Sequence, residues 1–260
     1  MDSNTQDRTA RSGSARDPKS PGYYISTDYR VIHDDADILV VDKPAPLAVY
    51  AVGAYKDVNL HALLRSDERW AASDLRFAHR LDAETSGVIV IAKSPEAARA
   101  LGLQFLGGKV RKIYRALTFG TPEPGEGRIE LPLGTDDSSG FQTVRILDHQ
   151  KGETAVTLYR VLERRGDYAW VRLEPLTGRT HQLRAHLALI GHPIVGDKIY
   201  VDVELFRRYV IGGLDEEILR RLKLPRLALH AERIEFTHPR THDPVGYQSD
   251  VPDFLGGIAA

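Results

Sequence analysis

The sequence predicts an α+β fold, with a single domain built on a mostly antiparallel mixed sheet flanked by helices. Between residues 112 and 176, five consecutive segments rich in β-branched and aromatic residues are separated by Gly, Asp and Pro turns. This pattern is typical of antiparallel strands. Helical patterns lie before and after this stretch, and the chain shows no internal repeat and no clear linker between domains.

The composition is that of an ordinary globular protein, with 260 residues and a net charge of −1 at pH 7. Cysteine is absent, which excludes disulfides, thiolate catalysis and cysteine-based metal or iron–sulfur sites. No segment reaches the roughly 20 apolar residues of a membrane span, and the N-terminus lacks the apolar core of a secretory signal. We therefore expect a cytoplasmic protein with no membrane partner. Because the net charge is near zero, any binding to nucleic acid would depend on local basic patches.

The N-terminal part of the chain predicts a tail followed by two strands. Residues 1–20 are rich in Ser, Asp and Arg and too poor in apolar residues to fold alone, so we expect a disordered polar tail. The run Ile38–Val41 predicts a strand that ends before Pro44 and Pro46. The segment SGVIVIAKS, residues 86–94, is apolar on both faces and predicts a central strand.

A helix is predicted directly after that central strand. Ser94 can cap it, Pro95 suits its first position, and Ala97, Leu101 and Phe105 are spaced for one buried face. The five strand segments follow this helix.

Beyond the strands, the segment TGRTHQLRAHLALIG predicts a second helix that ends at Gly191. One side of this helix is apolar and carries Leu183, Leu187 and Ile190. The roughly opposite side carries His181, Arg184 and Ala188. A polar helix from Asp215 to Leu222 and a strand from Leu227 to Phe236 complete the domain.

Two single residues are candidates for chemistry. Asp82 is a lone carboxylate between Arg80 and the predicted central strand, and a loop held by a rigid strand can aim a side chain into a cleft. Tyr114 lies on a predicted strand beside a short basic cluster, where an aromatic face could stack on a nucleobase. Taken singly, such an Asp more often forms a turn and such a Tyr more often packs in the core.

A third candidate region combines histidines and arginines. His181, His186 and His192 suggest a metal site, but the first two are five residues apart and lie on different helix faces, unlike the i, i+4 pair of a helical zinc motif. Arg179 and Arg184 could instead hold a carboxylate or phosphate, or be ordinary surface arginines. The chain has no Walker phosphate loop, dinucleotide-binding glycine motif or Gly-x-Ser-x-Gly elbow. The residues by themselves therefore indicate candidate side chains but no reaction.

Three motifs occur in order along the chain, namely HRLDAETSG at His79–Gly87, KIYRAL at Lys112–Leu117 and TGRTHQLRAHLALIGHPIVGDKIY at Thr177–Tyr200. Taken together, they resemble the RluA-type pseudouridine synthases, and the segments ILVVDKP and LALHAERIEFTHP also match the family's frame. The resemblance covers nearly everything after the tail. It implies that residues 21–260 form one pseudouridine synthase catalytic domain.

The resemblance implies a set of site residues. Asp82 matches the family's catalytic carboxylate, Tyr114 the tyrosine that lies against the target base, and Arg184 the arginine that pairs with the catalytic Asp. Arg80 matches the residue that helps to push the target nucleotide out of its stack, and Leu229 an apolar floor of the pocket. Four further motif residues are expected to bind substrate, namely His79, Lys112, Arg179 and His181.

The implied reaction converts uridine to pseudouridine and needs no cofactor and no metal. A carboxylate either attacks the sugar, as in retaining glycosidases, or removes a proton from it to give a glycal; both routes need an ionised Asp82. An adjacent Arg184 would lower its pKa. The uridine must leave its stack, at a cost of a few kcal/mol that stacking on Tyr114 and phosphate contacts would offset.

Some features depart from the family pattern. Many members carry an N-terminal S4 RNA-binding domain, and we expect none here. The loop that contains residues 135–140 is acidic where the family commonly has a basic stretch, and Val201 stands where a glycine is usual.

We expect a monomer that acts on structured ribosomal or transfer RNA. Two alternatives are a non-catalytic RNA-binding or ribosome-assembly factor and a metal hydrolase using His181, His186 and His192.

Overall fold

The computed structural model describes residues 14–16, 24–137 and 144–257. The strands in these ranges are β1 Ser14–Arg16, β2 Tyr24–Ser26, β3 Arg30–Asp34, β4 Ile38–Lys43, β5 Arg76–Phe77, β6 Ser86–Ala92, β7 Arg111–Phe119, β8 Glu126–Glu130, β9 Leu133–Thr135, β10 Arg145–Leu147, β11 Val156–Arg165, β12 Tyr168–Pro175, β13 Leu229–Thr237 and β14 Pro244–Gln248. The helices are α1 Leu60–Ser66, α2 Pro95–Leu106, α3 Gln182–Leu189, α4 Val203–Gly212 and α5 Glu216–Leu222.

One ten-stranded sheet organises the domain. Its main path is β3-β4-β6-β13-β7-β12-β11-β8, with β5 paired to β6 and β14 paired to β13. The pairing of β6 with β13 is parallel, and the other pairings in this sheet are antiparallel. The structure therefore confirms the predicted α+β fold with a mostly antiparallel mixed sheet.

The central strand β6 is buried on both faces, as its sequence predicts. On one face, Leu39 and Ile89 pack in a cluster that includes α1 and the fully buried Trp70. On the other face, Val88 and Val90 pack in a cluster that includes α2. A strand covered on both sides is a rigid support for the loop that enters it.

At the junction of β6 and β13, a glycine is required. Gly87 has φ +110°, and a Cβ atom placed on it would lie 2.2 Å from the carbonyl oxygen of Ala231. Because any larger residue would collide with the neighbouring backbone, Gly87 allows the two central strands to pair in parallel at this point.

Three of the five described helices follow the sequence predictions, and two are additions. Ser94 caps α2 by accepting a hydrogen bond from the Ala97 amide at 3.1 Å, with Pro95 in the first turn. The polar helix appears as α5, capped by Asp215. Helices α1 and α4 have no counterpart in the sequence predictions. None of the described helices is long and apolar enough to cross a membrane.

Three predictions at the ends and loops differ from the structure or lie beyond its described part. The predicted tail, residues 1–20, lies mostly outside the described residues; its described part, β1, pairs with β2 where the sequence predicts no strand. One of the five predicted strand segments, FQTVRILD at residues 141–148, lies partly outside the described residues, and its described part contains β10. The acidic loop, residues 135–140, also lies partly outside the described ranges.

Candidate active site

A cleft of about 700 Å³ opens between the central strands, the end of α2 and the start of α3. Every residue that the sequence singled out as catalytic or substrate-binding lies in its wall, the nine being His79, Arg80, Asp82, Lys112, Tyr114, Arg179, His181, Arg184 and Leu229. These residues come from the three motifs and, for Leu229, from the segment LALHAERIEFTHP; they are spread over about 150 positions of the chain, and the fold brings them to one place. Their convergence makes this cleft the candidate active site.

The loop that carries Asp82 joins β5 to β6 and is tied down on its C-terminal side. Lys43 is fully buried, and its ammonium donates hydrogen bonds to the carbonyl oxygens of Pro44, Leu47 and Ala83, at 2.9, 2.7 and 3.2 Å. Glu84, the next residue, accepts a hydrogen bond from the Leu227 amide at 3.1 Å and forms an ion pair with Lys198. The backbone beside Asp82 is therefore fixed by contacts on several sides.

Asp82 is the outer member of a chain of three charged side chains. Its carboxylate accepts a hydrogen bond from Nη1 of Arg184 at 3.1 Å. The same guanidinium donates from Nε and Nη2 to both carboxylate oxygens of Asp197, at 2.7 and 2.9 Å. Asp197 is fully buried, whereas the Asp82 side chain is 33% exposed. The ion pair with Asp197 thus fixes the position of Arg184. The arginine then presents one N–H to the Asp82 carboxylate, which faces the cleft.

The electrostatics of this chain favour an ionised Asp82. Burial alone would raise the pKa of Asp82, but His181 and the Arg184 guanidinium outweigh burial and hold that pKa below its ordinary value. Burial and the same guanidinium lower the pKa of His181 to about 4, so this histidine is neutral near pH 7. At neutral pH, Arg184 is therefore the positive charge that stabilises the Asp82 carboxylate.

His181 occupies the residue before α3 in a left-handed conformation, with φ 53°. This backbone places its ring beside the carboxylate, with Nε2 3.8 Å from an oxygen of Asp82. On its other side, Nδ1 lies 3.3 Å from the Tyr200 hydroxyl, and the two rings meet edge to face. Tyr200 also lies under the Arg184 guanidinium, 5.3 Å from its ring centroid. Tyr200 therefore contacts both His181 and Arg184, the two side chains that lie beside the Asp82 carboxylate.

Tyr114 and Leu229 form the apolar side of the cleft. Tyr114 lies on β7 at the junction of two core clusters, and Leu229 is buried at the start of β13. Burial, together with the Asp82 charge, raises the pKa of Tyr114, so its hydroxyl stays protonated at neutral pH. A half-buried aromatic ring above an apolar floor offers a flat surface to a planar base.

His79 holds the loop in place. Its Nε2 accepts a hydrogen bond from the Val90 amide of β6 at 3.0 Å, and its ring stacks on Phe105 with centroids 4.7 Å apart. Burial and, to a lesser extent, the charge of Lys112 lower the pKa of His79 to about 3, so the ring is a neutral acceptor. Its polar atom is thus already occupied, which gives His79 an anchoring contact in addition to its place in the cleft wall.

The other three cationic residues of the cleft differ in how many contacts they already make within the protein. Arg80 is exposed at the mouth of the cleft and forms no ion pair with any residue in the described ranges. Lys112 donates to the Thr177 carbonyl oxygen at 3.2 Å, and burial lowers its pKa. Arg179 is committed to its own loop, because it pairs with Glu153 at 3.0 Å and donates to a backbone carbonyl. Arg80 is therefore the most available of the three for a substrate.

The metal-site alternative is not supported by the helical histidines. His186 is buried between the Thr157 hydroxyl and the Leu131 carbonyl oxygen, at 2.9 and 3.0 Å. His192 contacts the Phe119 carbonyl oxygen. Among the described residues, no metal-holding group includes either of them or His181.

One group with converging donors does occur in the part of the chain that the structure describes. It consists of Asp35, Asp37 and His238, and none of them lines the cleft. Asp37 forms two hydrogen bonds with the Arg240 guanidinium. Asp35 accepts from the rings of His238 and His33. These contacts satisfy the group within the protein.

Sequence reasoning missed several residues that build the site. Asp197, Tyr200 and Lys43 all lie within the quoted motifs, but no role was predicted for them. The side chain of Gln182 accepts from the Thr177 hydroxyl and the Arg179 amide and donates to Val156, which ties the loop before α3 to β11. The available signal was a polar residue within an apolar segment, which requires a buried partner. The interpretation of Arg184 as a surface arginine is wrong, since it is 8% exposed.

Comparisons with known proteins agree with this geometry. Residues 37–189 match the sequence profile of a family described as RNA pseudouridylate synthase. The chain is 35% identical over 244 residues to ribosomal large subunit pseudouridine synthase D from Pseudomonas aeruginosa, a match that covers 91% of this chain and 73% of that protein. It is 36% identical over 210 residues to dual-specificity RNA pseudouridine synthase RluA from Escherichia coli, covering 80% of this chain and 87% of that protein.

A solved structure supports the same relationship. Human RNA pseudouridylate synthase domain containing 1 superposes with a TM-score of 0.68 at 27% identity, covering 88% of this chain and 86% of that one. The matched segments include the loop of Asp82 and the helix of Arg184, so the relationship extends over the cleft itself. This chain belongs to the RNA pseudouridylate synthase family.

Proposed function

We propose that the protein is an RNA pseudouridine synthase, an isomerase that converts a specific uridine of ribosomal or transfer RNA to pseudouridine, with Asp82 as its catalytic carboxylate. The observation that carries the proposal is the chain from Asp82 through Arg184 to Asp197, which holds a partly exposed, ionised carboxylate in the wall of a cleft. The names of the two bacterial relatives refer to the large ribosomal subunit and to dual specificity, and they favour an RNA of this class.

The reaction is an isomerisation within one nucleotide. The bond between the ring nitrogen of uracil and the sugar breaks, the ring turns, and its carbon 5 joins the same sugar carbon. Carbon 5 loses a proton and the ring nitrogen gains one, so atoms and electrons balance without a co-reactant. Asp82 acts on the sugar, either by attacking it or by removing a proton to give a glycal. In both routes Arg184 keeps Asp82 ionised.

The cleft also supplies groups that would hold the uridine outside its stack. Tyr114 offers its ring to the face of the base, and Leu229 closes the apolar side beneath it. Arg80, at the mouth, is free to contact phosphate or to fill the space that the base leaves. These contacts would offset the few kcal/mol that removing a base from a stack costs. Lys112 adds positive charge deeper in the wall.

The test is pseudouridine mapping of total RNA from cells that carry the wild-type gene, a deletion, or Asp82→Asn. A site that is absent in both mutants and restored by wild type would support the proposal and identify the substrate. Purified Asp82→Asn protein should lose activity and still bind that RNA, and this combination separates a synthase from a non-catalytic RNA-binding or assembly factor. If the purified wild-type protein forms no pseudouridine in RNA from the deletion strain, the proposal is refuted.

Two further properties stay predictions from the sequence. We expect the protein to act as a monomer in the cytoplasm. Sedimentation at micromolar concentration would test the first property, and fractionation of cell extracts would test the second.

A further inference from the structure

The outer face of α2 carries an apolar ridge that no contact within the described chain explains. Leu103 is 61% exposed and Leu106 is 87% exposed. Arg99 precedes Leu103 by four residues and therefore lies on the same face of the helix. Single exposed leucines are ordinary on protein surfaces. Two of them on one helix face, with a cation at each end of the stripe in Arg99 and Lys109, form a defined surface.

This ridge borders the cleft of Asp82. Gly102, Phe105, Leu106 and Gly108 line the same cavity as the candidate catalytic residues. At its end, the helix turns through Gly108, with φ +64°. The end of α2 is therefore one lip of the cleft mouth, and Leu106 is its most exposed apolar side chain.

The ridge is held rigidly from behind. The opposite face of α2 buries Ala97 and Leu101 against the sheet. The side chain of Gln104 both donates to the carbonyl oxygen of Thr237 and accepts from its amide, each at 2.8 Å. These two hydrogen bonds fix the last turn of the helix to β13. A leucine on such a support is aimed in one direction, in contrast to a side chain on a mobile loop.

The charges around the ridge differ from those elsewhere on the surface. Along the outer strands β8 and β11, arginines pair with glutamates, as Arg128 does with Glu130 and Arg160 with Glu126. Around the ridge, Arg80, Arg99 and Lys109 form no ion pair with any residue of the described ranges. This lip of the cleft carries unpaired cations and exposed leucines. Such a surface is complementary to an RNA strand, because the cations can contact its phosphates and the leucines its apolar base faces.

We propose that Leu106 packs against the bases next to the target uridine, filling part of the gap that the flipped nucleotide leaves, while Arg99 and Lys109 contact the flanking phosphates. This inference rests on the proposed function. Apolar side chains that insert between bases stabilise an opened nucleic-acid structure, because they replace the stacking that the departing base provided. Leu106 is thus a substrate-positioning residue on the lip of the cleft.

The experiment compares Leu106→Ala with Leu106→Met and with Ile211→Ala as a matched control. Ile211 lies on α4, is 89% exposed and does not line the cleft. The substrate is ribosomal and transfer RNA extracted from cells that lack the gene, and the readout is the rate of pseudouridine formation at low RNA concentration. We expect Leu106→Ala to be slower by about tenfold, the order expected for one leucine side chain removed from a contact. Leu106→Met and Ile211→Ala should remain within about twofold of wild type.

Salt dependence separates the two kinds of contact. Lys109→Ala should reduce the slope of log affinity against log salt concentration by about 1, and Leu106→Ala should leave that slope unchanged. If Leu106→Ala matches wild type in rate, the inference is wrong and the ridge serves another purpose, such as binding a protein. If the wild-type protein itself forms no pseudouridine, the proposed function fails instead, so the two failures are distinguishable.

Discussion

Replacing Asp197 with asparagine should destabilise the protein far more than the same change at Asp82. The carboxylate of Asp197 is fully buried and accepts hydrogen bonds from Nε and Nη2 of the buried Arg184 guanidinium. Asp197→Asn leaves that guanidinium with a weaker and incomplete partner. Removing one member of a buried ion pair costs about 3–5 kcal/mol. For a domain of this size, such a loss lowers Tm by roughly 10 °C.

Asp82→Asn is the matched control, because it makes the same chemical change on the other side of the same arginine. The Asp82 side chain is 33% exposed, so water screens its interaction with Arg184. We expect a change in the free energy of unfolding below about 1 kcal/mol. Both variants should lose catalytic activity. Asp197→Asn should lose it because Arg184 is displaced, and Asp82→Asn because the reacting carboxylate is gone.

Urea unfolding followed by circular dichroism measures the difference directly. The midpoint of Asp197→Asn should fall while the slope stays near the wild-type value, and the midpoint of Asp82→Asn should hardly move. Equal destabilisation of the two variants, or a cost under about 1 kcal/mol for Asp197→Asn, would refute the assignment of Asp197 as the structural anchor of the site.

Three other predictions concern pH and backbone packing. Arg184→Gln removes the positive charge that lowers the pKa of Asp82, so the acid limb of the rate profile should move to higher pH; an unmoved limb would show that another group sets this pKa. Burial lowers the pKa of Lys43 to about 7, whereas a lysine in the unfolded chain has a pKa of about 10. Between these two pH values the unfolded state binds more protons, so the free energy of unfolding should rise from about pH 7 to pH 10. Lys43→Met should lose that rise in denaturation curves recorded across the window. Gly87→Ala should cost more than about 3 kcal/mol, since its Cβ would meet the Ala231 backbone, whereas Gly102→Ala, in open space within a helix, should stabilise by up to about 1 kcal/mol.

Much of the sheet could be predicted from the sequence, because its strands have strong local patterns. The apolar run of β6 and the capped start of α2 are each determined by residues close together in the chain. Helices α1 and α4 were missed. Helix α1 has 7 residues, which is too short for a clear periodic pattern. In α4, the apolar residues Val203, Val210 and Ile211 are partly or largely exposed, so this helix has little of the buried face on which a periodicity argument depends.

The candidate site also contains residues that the sequence could predict and residues that it could not. Asp82, Tyr114 and Arg184 are recognisable because the motifs around them resemble a known family, and the cleft brings them together. The function of Asp197 depends on a contact between the end of one loop and a helix, which no local pattern encodes. Burial of both partners then decides that this pair, more than the pair with Asp82, holds the arginine.

The parallel pairing of β6 with β13 has a consequence for how the protein is made. Ser86 and His230, which pair across these strands, are separated by 144 positions in the chain. Because β13 lies between β6 and β7, the middle of the sheet stays open during translation until residues 229–237 leave the ribosome. Contacts of such long range close slowly. Until then the nascent chain exposes two sheet edges to other proteins, which makes the last part of synthesis the stage most open to misassembly and to chaperone binding.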